Sequence, residues 1–265
     1  MQIGTWTLTA AAIALAVSHA LAQTPAAAAA PVVRMAADAH PSFAVAVIKP
    51  HDPDVGGTEF NTIGDRVKIR NQTVASMLSF AYAIHRHQIV DAPDWIFHDR
   101  YDVEGTTGTE GEPSLRQFQE MLQKLLGDRF QLKFHRQQRE LPVYAIRLAK
   151  GGPKLNPTAH PDADPDQESN SHGTEITQTY TNSSLPDFIL AMQFFLDRPI
   201  VDQTGLLGHY DFTFHYTGDE VRATDPNAPP GLFTAVQEQL GLKFEPTKAS
   251  VGVFVIDRVE PPSAN

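Results

Sequence analysis

The chain has 265 residues, 21 basic and 31 acidic, a formal net charge of −10, and 42% hydrophobic side chains. Enough apolar material is present for one large core or two small ones, whereas the acidic balance excludes a nucleic-acid partner, which needs concentrated positive charge. There is no cysteine, which excludes disulfides, thiolate metal sites, cysteine nucleophiles and a lipid-modified N-terminal cysteine.

Residues 1–30 carry no Asp, Glu, Lys or Arg. The apolar run 8–17 is too short to span a bilayer and suits a signal-peptide core, followed by the small-x-small pattern of Ala20-Leu21-Ala22. Residues 1–22 are therefore expected to be a cleaved signal peptide, and the Ala- and Pro-rich stretch 23–41 a flexible leader. No later segment reaches the ~20 apolar residues of a membrane span. The expected location is the periplasm or outside the cell, without stable membrane insertion after cleavage.

Residues 42–153 read as a first α+β module. A strand at 43–49 precedes another at 67–70, and Thr73 caps a helix with Val74, Met77, Leu78, Ala81 and Ile84 on one face. A short strand at 88–91 is broken by Ala92-Pro93-Asp94, and 100–105 alternates as a half-buried strand. Ser114 and Gln117 make a capping box. The helix after it turns Leu115, Phe118, Met121, Leu122, Leu125 and Leu126 inward, with Gly127 as its stop. Two strands, 130–136 and 142–149, finish the unit.

Residues 154–174, acidic and Pro-rich, read as a linker. Residues 175–260 then repeat the order. A strand at 175–181 leads to a helix opened by Ser184 and Asp187; strands near Ile200 and at 209–216 follow. A helix with Leu232, Phe233, Val236 and Leu240 precedes the strand pair 242–246 and 251–259.

Short echoes tie the two stretches together. Ile89-Val90-Asp91 returns as Ile200-Val201-Asp202, Tyr101-Asp102-Val103 as Tyr210-Asp211-Phe212, and Leu132-Lys133-Phe134 as Leu242-Lys243-Phe244. Their spacing is nearly constant, about 110 residues, which predicts a tandem duplication of a β-α-β-β-α-β-β module.

Two resemblances follow from these residues. The element order, with Leu125-Leu126-Gly127 leading into Leu132-Lys133-Phe134, resembles the short N-terminal domain of secretins and TonB-dependent transducers, which implies protein contacts in the bacterial envelope. Pro93-Asp94-Trp95, Leu126-Gly127-Asp128-Arg129-Phe130, Glu140-Leu141-Pro142-Val143-Tyr144 and Val201-Asp202-Gln203-Thr204-Gly205-Leu206 resemble the soil-associated family of exported bacterial proteins. That family's function is unknown, and it implies no catalytic residues.

The sequence lacks His-Glu-x-x-His, Gly-x-Ser-x-Gly and a phosphate loop, so no catalytic residue, metal ligand or cofactor is assigned. His85 and His87 read as positive charge at a helix C-terminus rather than a metal pair. On the strand 209–216, Tyr210, Phe212, Phe214 and Tyr216 alternate into the core and leave His209, Asp211, Thr213 and His215 on the other face. The candidate binding residues are His209 and Asp211 there, with Trp95, Arg100 and Tyr101 in the first module. Together these features point first to a non-enzymatic interaction or sensing module with a protein partner in the envelope. The alternatives are a metal-dependent hydrolase, or a small-ligand or glycan-binding protein, with its site between the modules.

Overall fold

The computed structural model describes residues 33–218 and 228–262. The expected signal peptide lies outside them, as does the leader up to residue 32. The fold is α+β: the described residues form three four-stranded sheets with helices packed on them. Among the described residues no helix is long and apolar enough to cross a membrane.

The first sheet has the order β1 (Val45–Pro50), β5 (Arg100–Thr106), β3 (Arg66–Thr73), β2 (Glu59–Ile63). A second has the order β7 (Asn156–Pro157), β11 (Tyr210–Thr217), β9 (Glu175–Ser183), β8 (Asp166–His172). In both, the strand that runs into a helix bends at an asparagine in the left-handed region, Asn71 (φ 56) and Asn182 (φ 47). Asparagine tolerates that region better than most residues. The neighbouring strand holds each bend: Asn71 N–H donates to Asp102 Oδ1 at 3.0 Å and Asn182 N–H to Asp211 Oδ1 at 2.8 Å. Strand pairing shifts register at both places.

Helices start where local chemistry asks them to. Thr73 Oγ1 accepts the Ser76 N–H and opens α1 (Val74–Tyr82). Capping boxes at Ser114/Gln117 and Ser184/Asp187 open α3 (Leu115–Arg129) and α4 (Leu185–Met192), each supplying orphan N–H groups with an acceptor. A short helix, α2 (Trp95–His98), follows the Pro93-Asp94 turn, and α5 (Leu232–Ala235) continues into a π-helical turn at Val236–Leu240. Gly127 does not stop α3, which runs on to Arg129 and turns away through Gln131 in the left-handed region.

The third sheet joins the two parts of the chain. Its order is β10 (Ile200–Asp202), β6 (Lys133–Leu148), β12 (Leu242–Arg258), β4 (Ile89–Val90). Strands β6 and β12 pair antiparallel along their whole length, from Lys133 opposite Arg258 to Leu148 opposite Leu242. The sequence divides each in two, at 130–136 and 142–149 and at 242–246 and 251–259. Pro142 and Pro246 lie where, among the described residues, their strand has no second neighbour, since β10 reaches β6 only at Tyr144–Ile146 and β4 reaches β12 only at Phe254–Val255. A missing N–H therefore costs no ladder bond on that outer side.

Strand exchange carries side chains across. Phe254 and Ile256 of β12 sit in the core formed by α1, α3, β3 and β5, while Ile146 of β6 sits in the core with Phe188, Phe212 and Phe214. The stretches 42–153 and 175–260 thus complete one another's interiors.

Two stretches read as unstructured are ordered. Residues 33–41, in the expected leader, lie along α3: Met35 is buried, its N–H donates to Glu112 O at 2.9 Å, and Gln117 Nε2 donates to Ala36 O at 2.7 Å. The expected linker carries β7 and β8. Strand β8 is exposed at all seven residues, so its polar composition hid a strand held by backbone pairing to β9 rather than by apolar burial.

Candidate functional site

A cleft of about 300 Å³ lies where the two parts of the chain meet. One wall is a face of α1, whose Ser76 and Ser79 follow Gln72 at helical spacing. The opposite wall comes from the segment after α4, with Gln193, Phe194 and Leu196; Arg86, Phe97 and Arg100 close the sides.

Ser79 is 4% exposed and Gln193 7%. Among the described residues, neither Ser79 Oγ nor Gln193 Nε2 has a hydrogen-bond partner. A buried polar group left unpaired costs about 1–3 kcal/mol, and here two of them, from sequence-distant segments, line one cavity. Ser76 at the same wall is satisfied: its one hydroxyl proton is shared between Gln72 Oε1 and Thr73 O, both at 2.8 Å.

His85 locks the cleft's floor. It is 2% exposed, and its Nδ1 accepts the His87 N–H at 3.1 Å. A backbone N–H can only donate, so the ring proton is on Nε2, which donates to Leu196 O at 3.1 Å. Gln88 adds a second tie, donating from Nε2 to Gly252 O at 2.8 Å. With both ring nitrogens engaged, His85 has none left to take a proton from Ser79, so the pair is no nucleophile and base. Burial holds His85 below the usual histidine range, helped by His87 and Arg86 and opposed by the Leu196 carbonyl and Asp197. The helix-end cation expected at this position is instead a neutral, buried crosslink.

The sign of the resulting pH effect follows. The unfolded chain takes up the His85 proton more readily than the folded one, so its contribution is complete above the unfolded value of about 6.5 and shrinks as pH falls through the folded value. Urea unfolding of wild type and H85Q between pH 5 and 7.5 should show the wild type losing more stability toward acid. Parallel pH profiles would contradict this assignment.

The other expected binding residues are scattered. Arg100 lines the cleft and is aimed by Asn71, whose backbone O and side-chain Oδ1 accept from Nη1 at 2.9 and 3.2 Å. Trp95 is half-buried against the first core. Tyr101 is 6% exposed with its ring edge-on to Phe130 at 5.5 Å, so it is a packing residue and not a stacking platform. His209 is exposed at the start of β11. The Asp211 carboxylate is engaged by the Asn182 and Ala159 N–H groups, and these two hold it below the usual carboxylate range. Among the described residues no group of three His, Asp or Glu side chains is placed to hold a metal ion.

Ser79, Arg86 and Gln193 were not among the residues expected to bind. A signal for Ser79 was present: α1 is apolar almost all round, which marks a buried helix, so a serine inside it has to find a partner.

These features define a class: an α+β protein whose halves exchange strands around a polar cleft. The chain belongs to the family described as Protein of unknown function (DUF3738), which it matches over residues 75–259. That span includes Ser79, His85, Arg100 and Gln193. No curated protein and no solved structure matches the chain.

Proposed function

We propose that this chain is an exported, non-enzymatic binding or sensing module, built from two copies of one β-α-β-β-α-β-β unit, with its ligand site in the cleft between them. The observation that carries the site is that one cavity is lined by both Ser79 and Gln193, whose buried Oγ and Nε2 have no hydrogen-bond partner among the described residues. Duplication is supported by the shared strand order and by equivalent pairings, Ile89 opposite Phe254 and Ile200 opposite Tyr144. Export rests on the apolar run 8–17 and the small residues after it. A protein partner in the envelope remains a second reading, favoured by the open edge of β8, where backbone groups face outward and a partner strand can add.

The cleft reading makes an unusual demand on Ser79. Ser79→Ala removes a buried hydroxyl that lacks a partner, so the ligand-free protein should be as stable as wild type or more stable, by up to about 1 kcal/mol. A thermal-shift screen of several hundred polar metabolites should return compounds that raise the melting temperature of wild type and raise that of S79A less. A loss of stability typical of core truncation in S79A, with no compound shifting the wild type, would sink the reading.

A further inference from the structure

Resting on the cleft reading, we infer that its ligand is a small organic carboxylate with an apolar body and a second acceptor oxygen. The lining includes two guanidinium groups, Arg86 and Arg100, and no Asp or Glu. Arg86 lies over the Phe97 ring, 5.6 Å from its centroid, and Arg100 donates to two neutral oxygens of Asn71. Both cations are thus positioned, and among the described residues neither has an ion-pair partner. Asp197, the acid that acts electrostatically on His85, is drawn off by the Tyr144 hydroxyl and by Arg198 at 3.3 Å. His85 is held neutral, so the arginines set the sign of the field, which a recess with apolar walls concentrates.

The N-terminus of α1 adds to that field. Thr73, Ala75 and Ser76 line the cleft, and the helix has no acidic residue in its first turn, so nothing in it opposes the positive end of the dipole. Arg100 pairs with Thr73 across the strands and stands at that same end. Ser79 lies six residues further along α1, about 9 Å at 1.5 Å per residue. The two ends therefore ask for different groups: an anion at Arg100 and the helix start, and a hydroxyl or carbonyl oxygen at Ser79 O–H and Gln193 N–H. Between them Ala75, Ile84, Leu196 and the ring of Phe97 offer apolar walls.

The test uses the purified chain with 4-hydroxybenzoate, 4-hydroxyphenylacetate and 3-(4-hydroxyphenyl)propionate, each beside its primary amide, followed by calorimetry and ligand-observed NMR. At least one acid should bind, about ten- to a hundredfold more tightly than its amide, as charge-assisted hydrogen bonds require. R86Q and R100Q should each remove much of that preference, S79A should weaken acid and amide alike, and added salt should weaken the acid more. Among the described residues the Arg86 side chain makes no hydrogen bond, so R86Q stays informative if R100Q disturbs Asn71. Equal affinity for acid and amide, both weakened by S79A, would overturn the anionic class and leave the cleft reading standing. Acid binding indifferent to R86Q and S79A would place it elsewhere and overturn the proposal. Absence of binding by every acid up to about 10 mM would overturn it too, with the broader metabolite screen then deciding the cleft itself.

Discussion

Residues 33–153 and 154–262, produced separately, should each fail to give a cooperative unfolding transition, and should recover one when produced together. The first part lacks Phe254 and Ile256, which fill its core, and the second lacks Ile146, which fills its own. Phe254 is 4% exposed, stacks on Phe134 at 4.3 Å between centroids and meets Tyr82 edge-on at 5.1 Å. Its truncation, Phe254→Ala, should cost about 3–5 kcal/mol, and the damage should appear in the half to which it does not belong in sequence. Hydrogen exchange can read that directly, as lost protection in α1 and α3. A separate half with a native-like urea transition would refute the interlocking of the cores.

Asp102→Ala should be nearly as damaging, at about 3 kcal/mol by urea denaturation. Its carboxylate is 8% exposed as a residue, accepts the Asn71 N–H at 3.0 Å and is 2.7 Å from His51 Nδ1, whose side chain is 4% exposed. Removing it strands a buried imidazole and releases the left-handed bend that starts α1 and aims Arg100. Burial pushes this carboxyl upward, but the Asn71 N–H, His51 and Lys49 together outweigh burial and hold it below the usual range. Its contribution is therefore full above about pH 4 and lost as pH falls through the lower folded value. Asp211 makes the matching bond to Asn182 without a buried histidine behind it, so Asp211→Ala should cost visibly less. Equal losses in the two variants would mean that His51 adds nothing to the Asp102 site.

What was legible in the sequence was local. Thr73, Ser114 and Ser184 were recognisable as caps because a cap needs only its own next three residues. The alternation of Phe212, Phe214 and Tyr216 into a core was readable because a strand repeats every two residues. Strand exchange was not readable, because the apolar pattern of β6 and β12 is the same whichever core receives it. Residues 137–141 and 247–250 were not read as strand because their mostly exposed side chains carry no apolar alternation. Residues 33–41 and β8 escaped notice because their backbones, more than their side chains, hold them. Of the cleft, Arg100 was expected; Ser79 and Gln193 were not, since a buried polar atom becomes informative only once its surroundings are known. The Tyr-Asp echo carried more than core pattern: it marked Asp102 and Asp211 as the groups that hold Asn71 and Asn182.

The position of β12 also sets an order of events at birth. Its residues leave the ribosome after those of every other strand described above, yet Ile256 is needed to finish an interior begun near Ile48. A nascent chain cannot complete that interior before β12 has been made. Contacts so distant along the chain also make final assembly slow, with a late step in which one long ribbon zips shut both compartments.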